Sequence, residues 1–546
     1  MNVDRFTRPT RLMAVAAVVL ATTVSPTAAP ELPNDAASVR HTLSRLTFGA
    51  RPGDVARVQR IGLERWINDQ LTPGVADNAD LRARLAAFET LTLDSSQIAR
   101  DYVIPAREAR RAQQRASSAN ASTNGTTQVD PSSGAPAQGD ASPQMPRRPN
   151  GAAMGQRLII EELASSKLLR AVYSDRQLEE VLVDFWFNHF NVFAGKGREP
   201  QFITSYERDT IRPHVMGHFR ELLGATAQSP AMLFYLDNWL STSADATRVL
   251  AQRAARRPPG AGAPNGPRAA GLNENYGREL LELHTLGVDG GYTQQDVVEV
   301  ARAFTGWTID PRTQSFRFAP ALHDNGAKVV LGQKIAANGG IRDGERVLDI
   351  LASHPATAQH IALKLARRFV SDTPPPALVA RAAKRFHDTD GDLREVVRTI
   401  VTSPEFFAAD TTRTKVKTPL EFVASAVRAL DANVRNVRPL LRALQELGMP
   451  SYLCQPPTGY ADTAEAWVSS GALVSRMNLA LELASPGGRA IAAPGLRGDL
   501  VAVRTQLVAD ALGETIARDT LATIEKATTT QQMVALVLGS PEFQRR

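Results

Sequence analysis

Residues 273–307, NENYGRELLELHTLGVDGGYTQQDVVEVARAFTGW, constrain the fold of this chain more than any other stretch. On a helical wheel Tyr276, Leu280, Leu281, Leu283 and Leu286 fall on one side, while Glu274, Arg278, Glu282 and Thr285 share the other. Asn275 and Glu279 sit at the edge of that polar face. A segment patterned this way is stable only when another element covers its apolar stripe. Gly287 suits the position just past a helix, and Thr293 with Asp296 has the spacing of a capping box. The pattern therefore predicts two amphipathic helices joined by a tight glycine turn. Gly277, one heptad below His284, would leave room there for a neighbouring side chain.

The same period recurs over residues 36–48, in a helix pair over 51–71 broken near Gly62, and through 157–240 and 343–407. One β-like patch interrupts it, at 307–309, 316–318 and 328–331. The expected fold is mainly α: a large multi-helix domain with a small β-hairpin-like insertion and two disordered insertions. Those insertions, 112–156 and 251–270, are poor in apolar residues and cannot offset the entropy of ordering. They leave an N-terminal helical part at 37–111 and a main helical part at 157–546. The tetrapeptide SPEF, at 403–406 and 540–543, suggests one helix-ending device used twice.

The 546 residues, 43% apolar and 22% charged with a net charge of +7, fit an ordinary globular protein. Neither a lysine-rich tract nor a face interleaving aromatic and basic residues is present, which argues against nucleic acid as a partner. Arg5, Arg8 and Arg11 precede an apolar run at 12–24 and the small residues Ser25, Thr27, Ala28 and Ala29. This is the pattern of a signal peptide over 1–29, so a periplasmic or secreted protein is expected. No later segment is apolar enough for a transmembrane span. Cys454 is the single cysteine, which rules out an internal disulfide, and with no histidine near it in sequence it reads as a packed loop residue.

HTLSRLTFGARPGDV, DFWFNHF, GLNENYGRELLELHTLGVDGGYTQQDVVEVARAFTGW, LHDNGAKVVLGQ and KTPLEFVASAVRAL follow one another along the chain. In this order they resemble the domain of unknown function 1800 family of bacterial exported proteins, from about residue 37 onward. The resemblance implies a large, mostly helical exported protein with no established activity, and it places the His323–Asp324 loop among the family's motifs. Tyr460 stands where the family tends to carry tryptophan, so an aromatic is kept.

Several ionisable groups are arranged for chemistry. Asp184 and Asn188, one turn apart in DFWFNHF, form a polar stripe extended by Gln177; the acidic face of the 274 helix is a natural partner. His189 falls on the apolar flank above Phe185. Glu282 and His284 are two apart and diverge on a helix, so they cannot share a metal there, and His284 reads as a core histidine. His323 precedes Asp324, a carboxylate able to orient the imidazole. His214 and His218 have ligand spacing, but Val215 stands where a metalloprotease needs its glutamate. HDTDGDLRE lacks the glycine and glutamate positions of an EF-hand, leaving Asp390 or Asp392 as a helix cap. Walker, Rossmann and G-x-S-x-G signatures are missing.

The candidate site residues are thus Asp184, Asn188, Glu274, Arg278, Glu279, Glu282, His323 and Asp324. Two functional readings follow. In the first, these residues form a buried ion-pair network, with arginines such as Arg208, Arg278 and Arg302, inside an envelope or secretion-associated scaffold that binds a protein or an envelope polymer. In the alternative, they converge in a metal-dependent exported hydrolase of an envelope or extracellular polymer, where Glu282, His323 and Asp324 would hold a divalent metal.

Overall fold

The computed structural model describes residues 31–74, 76–123, 151–255, 271–485, 488–513 and 516–546. Residues 33–546 form one compact unit. The expected leader, 1–29, lies outside the described residues.

The protein is 63% helical, as the periodicity predicts. The helices that position the candidate residues are α1 (Ala36–Leu46), α2 (Gly151–Tyr173), α3 (Gln177–His189), α4 (Glu274–Glu279), α5 (Gln294–Ala303), α6 (Ile341–Ala352), α7 (Pro355–Phe369) and α8 (Pro419–Ala429). Toward the C-terminus follow α9 (Ser470–Ala484), α10 (Leu500–Ala511), α11 (Thr530–Gly539) and α12 (Pro541–Gln544). None of the described helices is long and apolar enough to cross a membrane.

Among the described residues, three two-stranded antiparallel sheets complete the fold. β1 (Trp307–Ile309) pairs with β2 (Phe316–Phe318) so that Trp307 faces Phe318. β3 (Lys328–Val330) pairs with β4 (Gln333–Ile335), placing Lys328 opposite Ile335. The single β-like patch of the sequence is therefore two separate hairpins. A third pair, β5 (Asn433–Val434) with β6 (Ile491–Ala492), joins segments that carry no strand pattern.

Both low-complexity segments need revised edges. A helix at Ile104–Thr123 runs on past residue 112, and α2 already starts at Gly151; likewise a helix at Ala244–Ala255 overlaps the start of the 251–270 segment. Alanine, arginine and glutamine at these edges are good helix formers even where nothing apolar is available to bury. The rest of both segments lies outside the described residues.

The helical hairpin at 273–307 forms with a change of period. After α4, residues Leu280–Thr285 make a π-helical turn before Gly287, at φ +84°, ends the helix. Such a turn inserts one residue into the helical phase. Thr285, expected on the polar face, is fully buried as a result, its hydroxyl donating to the Leu280 carbonyl at 2.7 Å. The Thr293–Asp296 capping box starts α5 as expected. The space at Gly277 admits backbone rather than a side chain: a Cβ there would lie 2.9 Å from the Val297 oxygen and 3.2 Å from the Ala301 nitrogen. α4 and α5 thus pack with main chains close together, and the π turn rests on α6 and α7. Each SPEF follows a helix, and the second copy also starts one, α12. In each copy the serine hydroxyl donates to a carbonyl three residues back and accepts the phenylalanine N–H three residues on.

Candidate functional site

Arg302, near the end of α5, grips Asp324 with both arms of its guanidinium, Nε to Oδ2 at 3.0 Å and Nη2 to Oδ1 at 3.1 Å. Its remaining Nη1 donates to Glu299 at 2.7 Å. Burial raises the Asp324 pKa, but the hydrogen bonds from Arg302 and the Gly326 N–H outweigh it and hold the carboxyl below its ordinary value. His323 faces away from Asp324. Its Nδ1 lies 2.8 Å from the Thr305 carbonyl and its Nε2 3.2 Å from Asp343 Oδ2, so Asp343 of α6 is the carboxylate that orients the ring. The physical reason is that His323 is extended (φ −79°, ψ 148°), and neighbouring side chains of extended backbone point to opposite sides. Lys328, at the start of β3, donates to the same Asp343 oxygen at 2.6 Å. Side chains of His323, Lys328 and Asp343 are all closed to solvent.

The polar side chains of α4 and of the π turn after it are held by α5 and the turn before α5. Gln294 bridges two of them, accepting from Arg278 Nη2 and donating to Glu274 Oε2, each at 2.8 Å. Glu282 accepts from the Tyr292 hydroxyl at 3.1 Å. Glu279 is half-buried; burial first, and then Glu282, raises its pKa above the ordinary carboxyl value.

Asp184 and Asn188 project from α3 into a different neighbourhood, away from the acidic face of α4. Asp184 accepts from Lys167 of α2 at 2.8 Å. Asn188 reads the main chain of Tyr460 as a strand would, donating to its oxygen at 2.8 Å and accepting from its nitrogen at 2.7 Å. Asn191 donates to the Cys454 and Pro456 carbonyls, so three anchors hold the 451–460 loop against the end of α3 once Tyr235 donates to Gln455. Lys167, Asp184, Asn188, Tyr452 and Tyr460 line a small cavity. Gln177 closes the stripe by accepting from the Phe48 N–H and donating to Ala171 and Ser174.

Sequence reasoning missed the ion-pair cluster behind that cavity. Tyr452 donates to Glu207 at 2.6 Å, and Arg212 forks onto Glu180 at 2.8 and 2.9 Å. Burial disfavours the Lys167 ammonium, yet Asp184 and Glu207 outweigh it and raise its pKa. Glu207 sits on a second π turn, Tyr206–Ile211, for which spacing carries no signal. His360 was also missed. Its ring lies 6.1 Å from that of His189, which is 6.3 Å from His284, and burial lowers His284 to about 3 and His360 to about 4. His189 and His284 are buried and His360 is half-buried, and the lowered pKa values keep all three neutral at ordinary pH. His214 and His218 do not share a helical face: His218 precedes a new helix and faces the Asp390 carbonyl, while His214 faces Thr210. Asp392 is the cap, accepting from the Glu395 N–H. Cys454 is buried, and burial pushes its thiol up to about 11.

The structure thus distributes the eight candidates over separate networks: Asp184 and Asn188 at the cavity, Glu274, Arg278, Glu279 and Glu282 along α4, and His323 and Asp324 with α5 and α6. No hydrogen bond or ion pair among the described residues links one group to another. Nor do the described residues contain a cluster of three or more His, Cys, Asp or Glu side chains spaced to hold a metal ion. What the arrangement does chemically is neutralise buried charge between helices, with Glu279 beside Glu282 as its one pair of acid–base character.

No curated protein and no solved structure matches the chain. The family model described as a protein of unknown function (DUF1800) matches residues 41–545. That match spans nearly the whole chain, and the chain belongs to the DUF1800 family.

Proposed function

We propose that the protein is an exported, non-catalytic interaction protein of the cell envelope or of secretion, in which the motif carboxylates brace the helices. The observation that carries this reading is the Lys328–Asp343–His323 group, whose polar atoms face one another in a closed interior where substrate has no access. Asp324, clamped by Arg302, is committed in the same way. Exposed Val468, Leu473, Val474 and Leu481, on and just before α9, supply an apolar surface of the kind that meets a protein partner.

The test combines metal analysis with denaturation of the wild type, Asp343→Asn and Asp324→Asn, purified without chelator. The expected outcome is a lowered Tm in both variants and no stoichiometric metal in any sample. Stoichiometric metal lost from both variants with the fold retained would overturn the proposal. Cross-linking in the producing cells then addresses the partner: Leu473→Glu combined with Leu481→Glu should remove protein adducts and leave Tm unchanged.

A second reading, hydrolysis of an envelope or extracellular polymer, draws support from one observation. Glu279, its pKa raised beside Glu282, has the environment of a general acid paired with a carboxylate. Loss of polymer hydrolysis in both Glu279→Gln and Glu282→Gln would favour it.

A further inference from the structure

Six cationic side chains are buried where α1, α7, α8, α9 and the C-terminal segment meet: Arg45, Arg368, Lys415, Lys417, Arg476 and Arg546. The carboxylates among them are already committed. Glu421 takes Arg368 at 2.9 Å and Arg546 at 3.1 Å while capping α8, and Asp372 takes Lys415 and the Ala464 N–H. Arg45 and Arg476 have only neutral hydrogen-bond partners, the Thr411 carbonyl and Thr414 hydroxyl for one, Gln544 and the Lys417 carbonyl for the other. Even a main-chain carboxylate at Arg546 would leave cations in excess.

A pocket partly open to solvent adjoins this cluster; its walls include Lys417, Arg546, Phe543 and the carboxylates Glu421, Asp510 and Glu542. Lys417 is 8% exposed, and its ammonium lies 3.6 Å from the Phe543 ring centre without a hydrogen bond to any described residue. Buried charge without a counter-ion is costly, and a protein relieves it by losing the proton or gaining an anion. Burial lowers Lys417 to about 7 although the nearby Glu421 charge pulls the other way, and Arg476 and Arg413 add to the lowering; burial lowers Arg45 to about 9 and Arg476 to about 10.

We infer that this pocket binds a small oxyanion, a carboxylate or a phosphate, which Lys417 and Arg546 engage from opposite walls while the Phe543 ring lies against the Lys417 ammonium. Such a ligand supplies the missing negative charge and restores the Lys417 proton. Glu542, Asp510 and Glu421, carboxylates in the same walls, work against it and limit affinity.

Calorimetry and thermal unfolding of the full chain, with inorganic phosphate and with malonate at ionic strength matched by sodium chloride, test the inference. One of the two should bind saturably and raise Tm beyond chloride; which one does so separates a phosphate from a carboxylate ligand. Lys417→Met should weaken binding by roughly tenfold or more, the loss of one charge-assisted hydrogen bond. Glu542→Gln should strengthen it, and wild-type affinity should fall between pH 6 and pH 9. If Lys417→Met does not fold, the wild-type titration and Glu542→Gln still decide. No saturable binding of either probe, or unchanged binding in Lys417→Met, would overturn the inference and leave proton loss from Lys417 as the way the cluster is relieved.

Discussion

Lys328 Nζ lies 2.6 Å from Asp343 Oδ2, and neither side chain reaches solvent. The pair ties the start of β3 to the first turn of α6, and through His323 to the loop that follows β2. Its geometry makes each partner indispensable to the other, since a lone ion in that interior would keep its desolvation cost with nothing to offset it.

Lys328→Met should therefore lower stability by about 3–5 kcal/mol, the usual effect of stranding one member of a buried pair. Urea denaturation with an unchanged m-value is the measurement. A loss below about 1 kcal/mol would mean that water or another cation reaches Asp343.

Asp324 supplies a pH-dependent test. Its pKa is lowered in the folded state, so its contribution is present above the unfolded carboxyl value near 3.8 and is lost as pH falls through the lower folded value. Asp324→Asn should be destabilised at pH 7 by about 1–2 kcal/mol, given a partly exposed clamp. Repeating the comparison down to pH 3 should shrink the difference; a constant difference would assign the effect to packing.

Glu279 should behave in the opposite sense. A raised carboxyl pKa means that the folded state holds its proton longer than the unfolded chain, so stability falls as pH rises from the ordinary value of 4.5 through the folded value. Glu279→Gln removes that penalty and is expected to stabilise the protein at pH 7 by a few tenths of a kcal/mol, up to about 1. Equal Tm differences at pH 4 and pH 7 would contradict it.

Gly459 has φ +72°, and a Cβ there would lie 2.4 Å from the Asn188 carbonyl oxygen and 2.5 Å from its Oδ1. Gly459→Ala should cost about 2 kcal/mol or more, combining left-handed strain with displacement of Asn188 from Tyr460. Asn188→Ala should loosen the same loop, and faster amide exchange over residues 451–460 in both variants is the signature to seek.

Local features were legible in the sequence because their causes lie within one helical turn. The Thr293–Asp296 box, the Asp392 cap and the αL glycine at 287 each depend on residues at most four positions apart. The fold class followed from the apolar period, which needs only that some partner exist for each stripe. π turns such as Tyr206–Ile211 and Leu280–Thr285 escaped because a helix gains the extra residue in response to what packs on it, and Leu280–Thr285 looks locally like any amphipathic segment.

Composition and periodicity alone determined that this chain would be a helical protein with short β hairpins, and they located the segments dense in ionisable groups. Tertiary structure alone decided which of those groups meet. Asn188 finds its partner 272 positions away at Tyr460, His323 turns from adjacent Asp324 to Asp343, and Lys417 joins a basic cluster drawn from both ends of the chain. Helix formation is governed by neighbours along the chain, whereas the pairing of buried charges is governed by which helix faces come together once the apolar stripes are covered.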